Sequence, residues 1–376
     1  MSDFANLLGK LQATAQKANI AEVSTRRAST SASSKKRKLE DVKGGDILNH
    51  RSNTKRREEN KKIAAALAVK TEDTQINRPR DFSALTIHIS FLCIGAQKAG
   101  TTWLHEMLSR HPGLCLPKQK EVHFWDWNRR KGLRWYSNQF QLQPKSSSIN
   151  RKREEIHYGE ITPCYAVLPE YDIAEIKYLF PNVKIVFLAR DLVERAWSAL
   201  LMELRNAVRG VEAGRFSDNN DGMTAKERQQ FLRDADPNQY NDDYFMDRLS
   251  HGTHSTRNNY AQGIRQWLEH FSKDQILILP YSDVSKRPRE LLKELSIFIG
   301  IDSTTSSHSG DGEFNFVNSL KDEDIQTRYN VATDPKLNAA IRPALEVKMK
   351  LFLKPLAKEF NVLLEELGYS WRLQEY

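Results

Sequence analysis

The chain has 376 residues, a formal net charge of +9 and a hydrophobic fraction of 39%. The charge is concentrated at one end: residues 1–80 hold 18 Lys and Arg against 9 Asp and Glu, with Phe4 as their one aromatic residue, and the remaining 39 basic and 39 acidic residues cancel. No run of about 18 apolar residues exists to span a bilayer, and the opening residues lack the apolar core of a secretory signal, so neither a membrane anchor nor a leader is expected.

Residues 1–82 are expected to form a disordered basic tail, because so polar a composition cannot bury enough apolar surface to order itself; 58–69 is a candidate lone helix. Within the tail, Lys35-Lys36-Arg37-Lys38 and Lys55-Arg56-Arg57 have the composition of a nuclear-import signal or a nucleic-acid-binding arm, with a solvated basic tail as the plain alternative. From Ser83 the composition becomes globular, and 83–376 is long enough for one large α/β domain. Cys93, Cys115 and Cys164 are odd in number, unpaired in spacing and without a matching histidine cluster, which argues against a disulfide framework and a zinc site; no metal is expected. These observations together suggest a reducing compartment, cytoplasmic, or nuclear where the basic run is read.

The first folded unit begins with an apolar run at 87–94, short and bounded like a buried strand. It turns at Gly95-Ala96-Gln97-Lys98-Ala99-Gly100 and becomes helix-periodic through Trp103, Leu104, Met107 and Leu108. Strand, glycine-containing turn and helix in that order make an anion cradle, since the free backbone N–H groups and the helix dipole both favour negative charge. Gly95 and Gly100 have the spacing of the nucleoside-triphosphate loop, but Thr101 stands where that loop needs lysine, and Lys98 lies three residues earlier. An ordinary turn carrying a stray lysine is the alternative.

After a basic, aromatic stretch at 125–136 and a polar loop at 139–153, a second strand is expected from 157, ending at Pro163, followed by a helix around 172–180. Residues 183–189, VKIVFLA, form the most continuous β-branched run in the chain and read as a central parallel strand buried on both faces. Arg190 sits at its carboxyl end and Ser198 two helical turns later, so a guanidinium fork and a hydroxyl can hold one phosphate; an N-capping Arg190-Asp191 pair without a ligand is the alternative. The polar stretch 210–255 reads as inserted helices and loops. An amphipathic helix at 260–271, a strand at 275–279, a helix at 289–299 and further helices at 335–367, with Phe352, Leu356, Phe360 and Leu364 on one face, complete the chain. This repetition gives an α/β fold, a P-loop-like three-layer sandwich with a central parallel sheet flanked by helices, and ligands bind such sheets at the carboxyl ends of the strands.

Gln97-Lys98-Ala99-Gly100-Thr101-Thr102-Trp103 resembles the 5′-phosphosulfate loop of sulfotransferases that use 3′-phosphoadenosine 5′-phosphosulfate (PAPS). Lys120-Glu121-Val122-His123-Phe124-Trp125-Asp126-Trp127 resembles the block N-E-V-H-F-F-D-W of the heparan glucosaminyl branch, and Arg190 to Ser198 resembles the 3′-phosphate motif R-D-P-x-x-R-x-x-S, with Leu192 in place of proline. The resemblance implies an enzyme moving a sulfo group from PAPS to an acceptor hydroxyl or amine, a carbohydrate among the candidates. It assigns Lys98, Ala99, Gly100, Thr101, Thr102, Trp103, Arg190 and Ser198 to the nucleotide, with Lys98 also stabilising the bridging oxygen in the transition state. Arg328 is added as the matching residue of the family's closing K-G-R-x-H loop. Glu121 would be the general base, His123 its neighbour or a substrate contact, and Asp126 a supporting or substrate carboxylate; in an extended segment 121 and 123 share a face. Tyr260 would reach the nucleotide or pack in the core. Thr102 and Ile161 stand where the heparan branch carries basic residues, which argues against a heparan-like acidic acceptor, and the branch's membrane segment has no counterpart. A nucleoside-triphosphate-dependent kinase and a nucleic-acid-binding protein with an idle domain are the rival readings.

Overall fold

The structure, a computed structural model, describes residues 87–140, 156–213, 229–230, 232, 235–301, 316–329 and 336–376. The tail 1–82 with its candidate helix and basic runs, the domain boundary after it, and most of the loop 139–153 lie outside the described residues.

In chain order the elements are β1 (Ile89–Gly95), α1 (Thr101–Leu108), β2 (Leu114–Cys115), a π-helical turn (Phe124–Asn128), a 3-10 turn (Arg129–Lys131), α2 (Gly132–Ser137), β3 (His157–Ile161) and a 3-10 turn (Pro163–Val167). Then follow α3 (Glu170–Leu179), β4 (Lys184–Ala189), α4 (Leu192–Glu212), α5 (Asp242–Ser250), α6 (Gly252–Asn258), α7 (Tyr260–Leu268) and β5 (Ile276–Pro280). The chain closes with α8 (Ser282–Lys286), α9 (Pro288–Ile299), α10 (Phe316–Ser319), α11 (Asp322–Gln326) and α12 (Pro343–Glu366).

The five strands form one sheet in the order β2-β3-β1-β4-β5, and every pairing is parallel. Parallel strands need crossover helices on the sheet faces, so the strands are buried on both sides and read as continuous apolar runs. That is what β1 and β4 show: Phe91, Leu92, Cys93 and Ile94 of β1, and Ile185, Val186 and Leu188 of β4, are fully buried, each large apolar side chain contributing about 1.5–3 kcal/mol. The expected α/β sandwich is the observed one. Among the strands the sequence pattern missed β2, two residues long at the sheet edge, where too few side chains exist to display a period.

Local signals account for the helix ends. Asp191 caps α4 by accepting from the Glu194 amide at 2.9 Å, Asn259 caps α7 by accepting from the Gln262 amide at 3.0 Å, and Gly300 ends α9 in the left-handed region at φ 80°. Two expectations are corrected. The helix from Leu192 continues to Glu212, into the start of the stretch 210–255 that reads as an insertion, because Gly210 and Val211 are buried in the helix's packed face. In α12 the buried seam is Leu345, Met349, Leu353, Ala357, Phe360 and Leu364, leaving Phe352 39% exposed; the 3.6-residue period lets the seam drift by one position across so long a helix.

Candidate functional site

The carboxyl ends of β1, β3 and β4 converge on the loop between β1 and α1. The Ala96 amide donates to the Leu188 carbonyl at 2.9 Å, which fixes the loop's start against β4. Lys98 (φ 70°) and Gly100 (φ 78°) are both left-handed; at Gly100 a Cβ would also lie 3.0 Å from the Tyr281 ring, so glycine is required there. Gly100 opens α1, whose first amides face the loop.

Arg190 leaves the end of β4 and donates from Nη1 to the Lys98 carbonyl at 2.9 Å. Its other edge bonds Glu194 at 3.1 and 3.2 Å, and its guanidinium lies 4.8 Å from the Tyr281 ring centroid. Two of the sequence blocks thus meet side by side. Lys98, Arg190, Glu194, Ser198, Arg205 and Tyr376 line one cleft of about 350 Å³. Lys98 is held down to about 8 by burial first, then by the charges of Arg205 and Arg190, the situation of an ammonium waiting for an anion.

The remaining predicted nucleotide residues fall unevenly. Ala99 and Thr101 are buried, Thr102 is half-buried, and Trp103 is buried with Nε1 donating to the Ile325 carbonyl at 2.8 Å. Arg328 lies just beyond Ile325 but is exposed and does not line the cleft. Tyr260 is a core residue: 3% exposed, it packs edge-on against Phe187 and Phe360 and donates to the Arg190 carbonyl at 3.1 Å. It therefore supports Arg190 without lining the cleft. Arg205 is the residue that sequence reasoning missed. It lies two helical turns beyond Ser198 on the same face of α4, a spacing that a reading stopped at the motif's serine does not test.

The second block lines no part of that cleft and approaches it from the side of Lys98, which feels the charges of Glu121 and Lys120. Glu121 (φ 64°) and His123 (φ 52°) are left-handed rather than extended, so the turn and not strand alternation brings their side chains together. With Lys98 they are the three non-glycine residues of positive φ among the described residues. Such backbone costs about 1–3 kcal/mol per residue and persists only where the surroundings impose it, characteristically at functional sites. His123 is clasped by two carboxylates, Nδ1 at 2.8 Å from Asp126 and Nε2 at 3.3 Å from Glu121. Its ring is stacked on Trp127, which is 69% exposed. The Lys120 ammonium bonds the other Glu121 oxygen.

This arrangement polarises the cluster. Burial opposes charge on His123, but hydrogen bonds to Asp126 and Glu121 outweigh it and lift the ring to about 9. Burial would likewise raise Glu121, yet the His123 hydrogen bond and the charge of Lys120 bring it down to about 2. Lys98 senses the charges of Glu121 and Lys120, which joins the two halves of the site electrostatically.

Beneath the turn lies Glu160 of β3, 1% exposed. It accepts from the hydroxyls of Tyr136 at 2.6 Å, Thr162 at 2.7 Å and Tyr165 at 2.8 Å. The Tyr165 hydroxyl in turn accepts from the Phe124 amide at 2.8 Å. A buried carboxylate with three donors is satisfied, and it holds the turn that presents Glu121 and His123.

His123, Asp126 and Cys164 bring a ring nitrogen, a carboxylate oxygen and a sulfur within 4.8 Å of one another. A cation there would have to displace the proton shared in the His123–Asp126 pair and sit beside Arg257, which bonds the Cys164 sulfur at 3.2 Å. The local charge suits an anion better.

A family model described as a sulfotransferase domain matches residues 89–324. Among curated proteins, the membrane-associated sulfotransferase kil1 of Dictyostelium discoideum is 25% identical over 283 residues, covering 60% of this chain and 58% of that protein. The heparan sulfate glucosamine 3-O-sulfotransferase 3B1 of Mus musculus is 26% identical over 212 residues, covering 56% of this chain and 45% of that protein. The chain spans about half the length of these relatives. A solved sulfotransferase from Alicyclobacillus acidocaldarius aligns with a TM-score of 0.44 at 17% identity, covering 74% of this chain and 97% of that one. The expected cytoplasmic or nuclear location is corrected by the first of these relatives, whose name places it at a membrane. Among the described residues no helix is long and apolar enough to cross one.

Proposed function

The chain belongs to the sulfotransferase domain family, and from that premise we propose that this cleft moves a sulfo group from PAPS to an acceptor hydroxyl or amine. The observation that carries the reading is the convergence of Lys98, Arg190 and Ser198, from distant parts of the sequence, on one cleft beside the Glu121–His123 turn. The family match does not favour the kinase or idle-domain readings.

The cleft suits the donor by its chemistry: Lys98, Arg190 and Arg205 supply positive charge and Ser198 a hydroxyl, a set matched to an adenosine bisphosphate. Bound there, PAPS supplies an activated sulfo group. Arg190 and Ser198 hold the 3′-phosphate, and Lys98 with the loop and first α1 amides holds the 5′ end. In the transfer, an acceptor oxygen or nitrogen forms a bond to sulfur as the bridging oxygen–sulfur bond breaks. Lys98 neutralises the charge growing on that oxygen, and the Glu121 carboxylate takes the acceptor's proton. His123 and Asp126 orient Glu121 and face the acceptor. Both relatives named above are sulfotransferases and one is named for a glucosamine acceptor, which supports a saccharide among the acceptor candidates. Arg328 is the candidate for closing the nucleotide site from the segment after α11.

Calorimetric titration with 3′-phosphoadenosine 5′-phosphate (PAP), beside ATP with Mg²⁺, tests the donor. Magnesium-independent binding weakened by Arg190→Ala is expected; preference for ATP would return the kinase reading to the front.

A further inference from the structure

Lys120 is the charged group of the site to which the transfer chemistry has assigned no task. Its ammonium bonds Glu121, and its side chain is only 15% exposed. Its charge is sensed by Lys98, Cys93, His105 and Cys164. Those groups sit at the end of β1, in the phosphate-facing loop, on α1 and in the turn after β3. The lysine therefore reaches inward among the strand ends, where a primary ammonium is costly to bury without an anion.

The charges around it are unevenly matched. His123 has its own counterion in Asp126 at 2.8 Å, while Glu121 serves both Lys120 and, at 3.3 Å, His123. An ammonium offers three donors, and among the described residues Glu121 occupies one of them. Resting on the donor assignment above, we propose that Lys120 is a sulfonate-binding residue that changes partner: it neutralises Glu121 while no donor is bound and turns to a sulfonate oxygen when PAPS enters. The exchange conserves charge, since one anion replaces another on the same cation. It also releases a Glu121 oxygen to face the acceptor when the sulfo group is in place. Against burial, Glu121 is held low by its His123 hydrogen bond first and by Lys120 second; the partner change lifts the second of these and so couples donor binding to base strength. No proton or bond is exchanged in this step.

The competition predicts opposite effects from the two partners, readable without an acceptor. PAP lacks the sulfonate and PAPS carries it. Titrating both by calorimetry, Lys120→Met is expected to weaken PAPS on the order of tenfold and to leave PAP within about twofold, with Lys120→Arg restoring part of the loss. Glu121→Gln is expected to strengthen PAPS and leave PAP unchanged, because Lys120 no longer has to abandon a carboxylate. Equal effects on the two ligands, or no gain from Glu121→Gln, would make Lys120 a fixed partner of Glu121 and overturn the inference. PAP binding reports in each variant that the fold and nucleotide site persist. Failure of the unaltered protein to bind either ligand would instead remove the donor assignment, and the inference with it.

Discussion

The indole of Trp127 lies flat on the imidazole of His123, ring centroids 3.8 Å apart and planes 8° from parallel. The indole's other side is open to solvent, so its contact with His123 is an interaction between a charged ring and a π face. Removing it with Trp127→Ala should lower the His123 pKa by less than one unit, since such contacts are worth about 0.5–1 kcal/mol at exposed sites and one unit corresponds to about 1.36 kcal/mol. Titrating the His123 ring by NMR in both proteins checks the shift; an unchanged or raised value would show that the stack contributes nothing to the charged form.

The same histidine sets an alkaline limit on stability. Its folded value of about 9 lies above its ordinary value of 6.5, so its contribution is complete below 6.5 and is lost as pH rises through 9. Glu121 behaves oppositely: at about 2 against an ordinary 4.5, it contributes fully above 4.5 and loses that contribution as pH falls toward 2. Asp126→Asn removes the nearer counterion and should bring His123 down. Urea midpoints at about pH 6 and about pH 10 should therefore differ less in the variant than in the unaltered protein. An equal fall in both would assign the alkaline loss to another group.

How much of this could be read beforehand follows from what kind of signal each residue leaves. The strands β1 and β4 were legible because burial on both faces writes continuous apolar runs, and the meeting of Lys98, Arg190 and Ser198 in one cleft because loops and helix starts at the carboxyl ends of neighbouring parallel strands come together. Arg205 was not legible, since its membership depends on α4 being straight for two turns past Ser198. Nor was the geometry of Glu121 and His123. Extended alternation would also have put them on one face, and only the backbone angles reveal that a left-handed turn does it. Tyr260 shows the same limit: its aromatic ring is predictable as core, its hydroxyl's bond to the Arg190 carbonyl is not.

Tyr165 joins the buried Glu160 carboxylate to the amides of Phe124 at 2.8 Å and Trp125 at 3.3 Å. Tyr165→Phe keeps the ring and deletes the junction, leaving two buried amides short of an acceptor and Glu160 short of a donor. A loss of about 1–3 kcal/mol in unfolding free energy is expected. Transfer activity should fall further than PAP affinity does, because the turn carrying Glu121 is loosened while the Lys98 loop is not. Parallel losses in both would mean that the network supports the whole sheet edge and not the turn alone.

Lys98 ties nucleotide affinity to pH. Burial, then Arg205 and Arg190, hold its ammonium at about 8 in the empty cleft, and a bisphosphate binds the protonated form. PAP affinity should accordingly be flat below 8 and fall above it, approaching about tenfold per pH unit until the bound-state value is reached. Binding at pH near 8.5 should take up a fraction of a proton, measurable by calorimetry in two buffers of different ionisation enthalpy. Arg205→Ala removes the neighbouring charge that acts more strongly on Lys98, so it should weaken PAP at every pH while moving the onset of the fall upward. Lys98→Met should abolish both the proton uptake and the pH dependence. Proton uptake that survives in Lys98→Met would place the titrating group elsewhere, and an onset that Arg205→Ala leaves unmoved would mean that Arg205 does not act on Lys98 through charge.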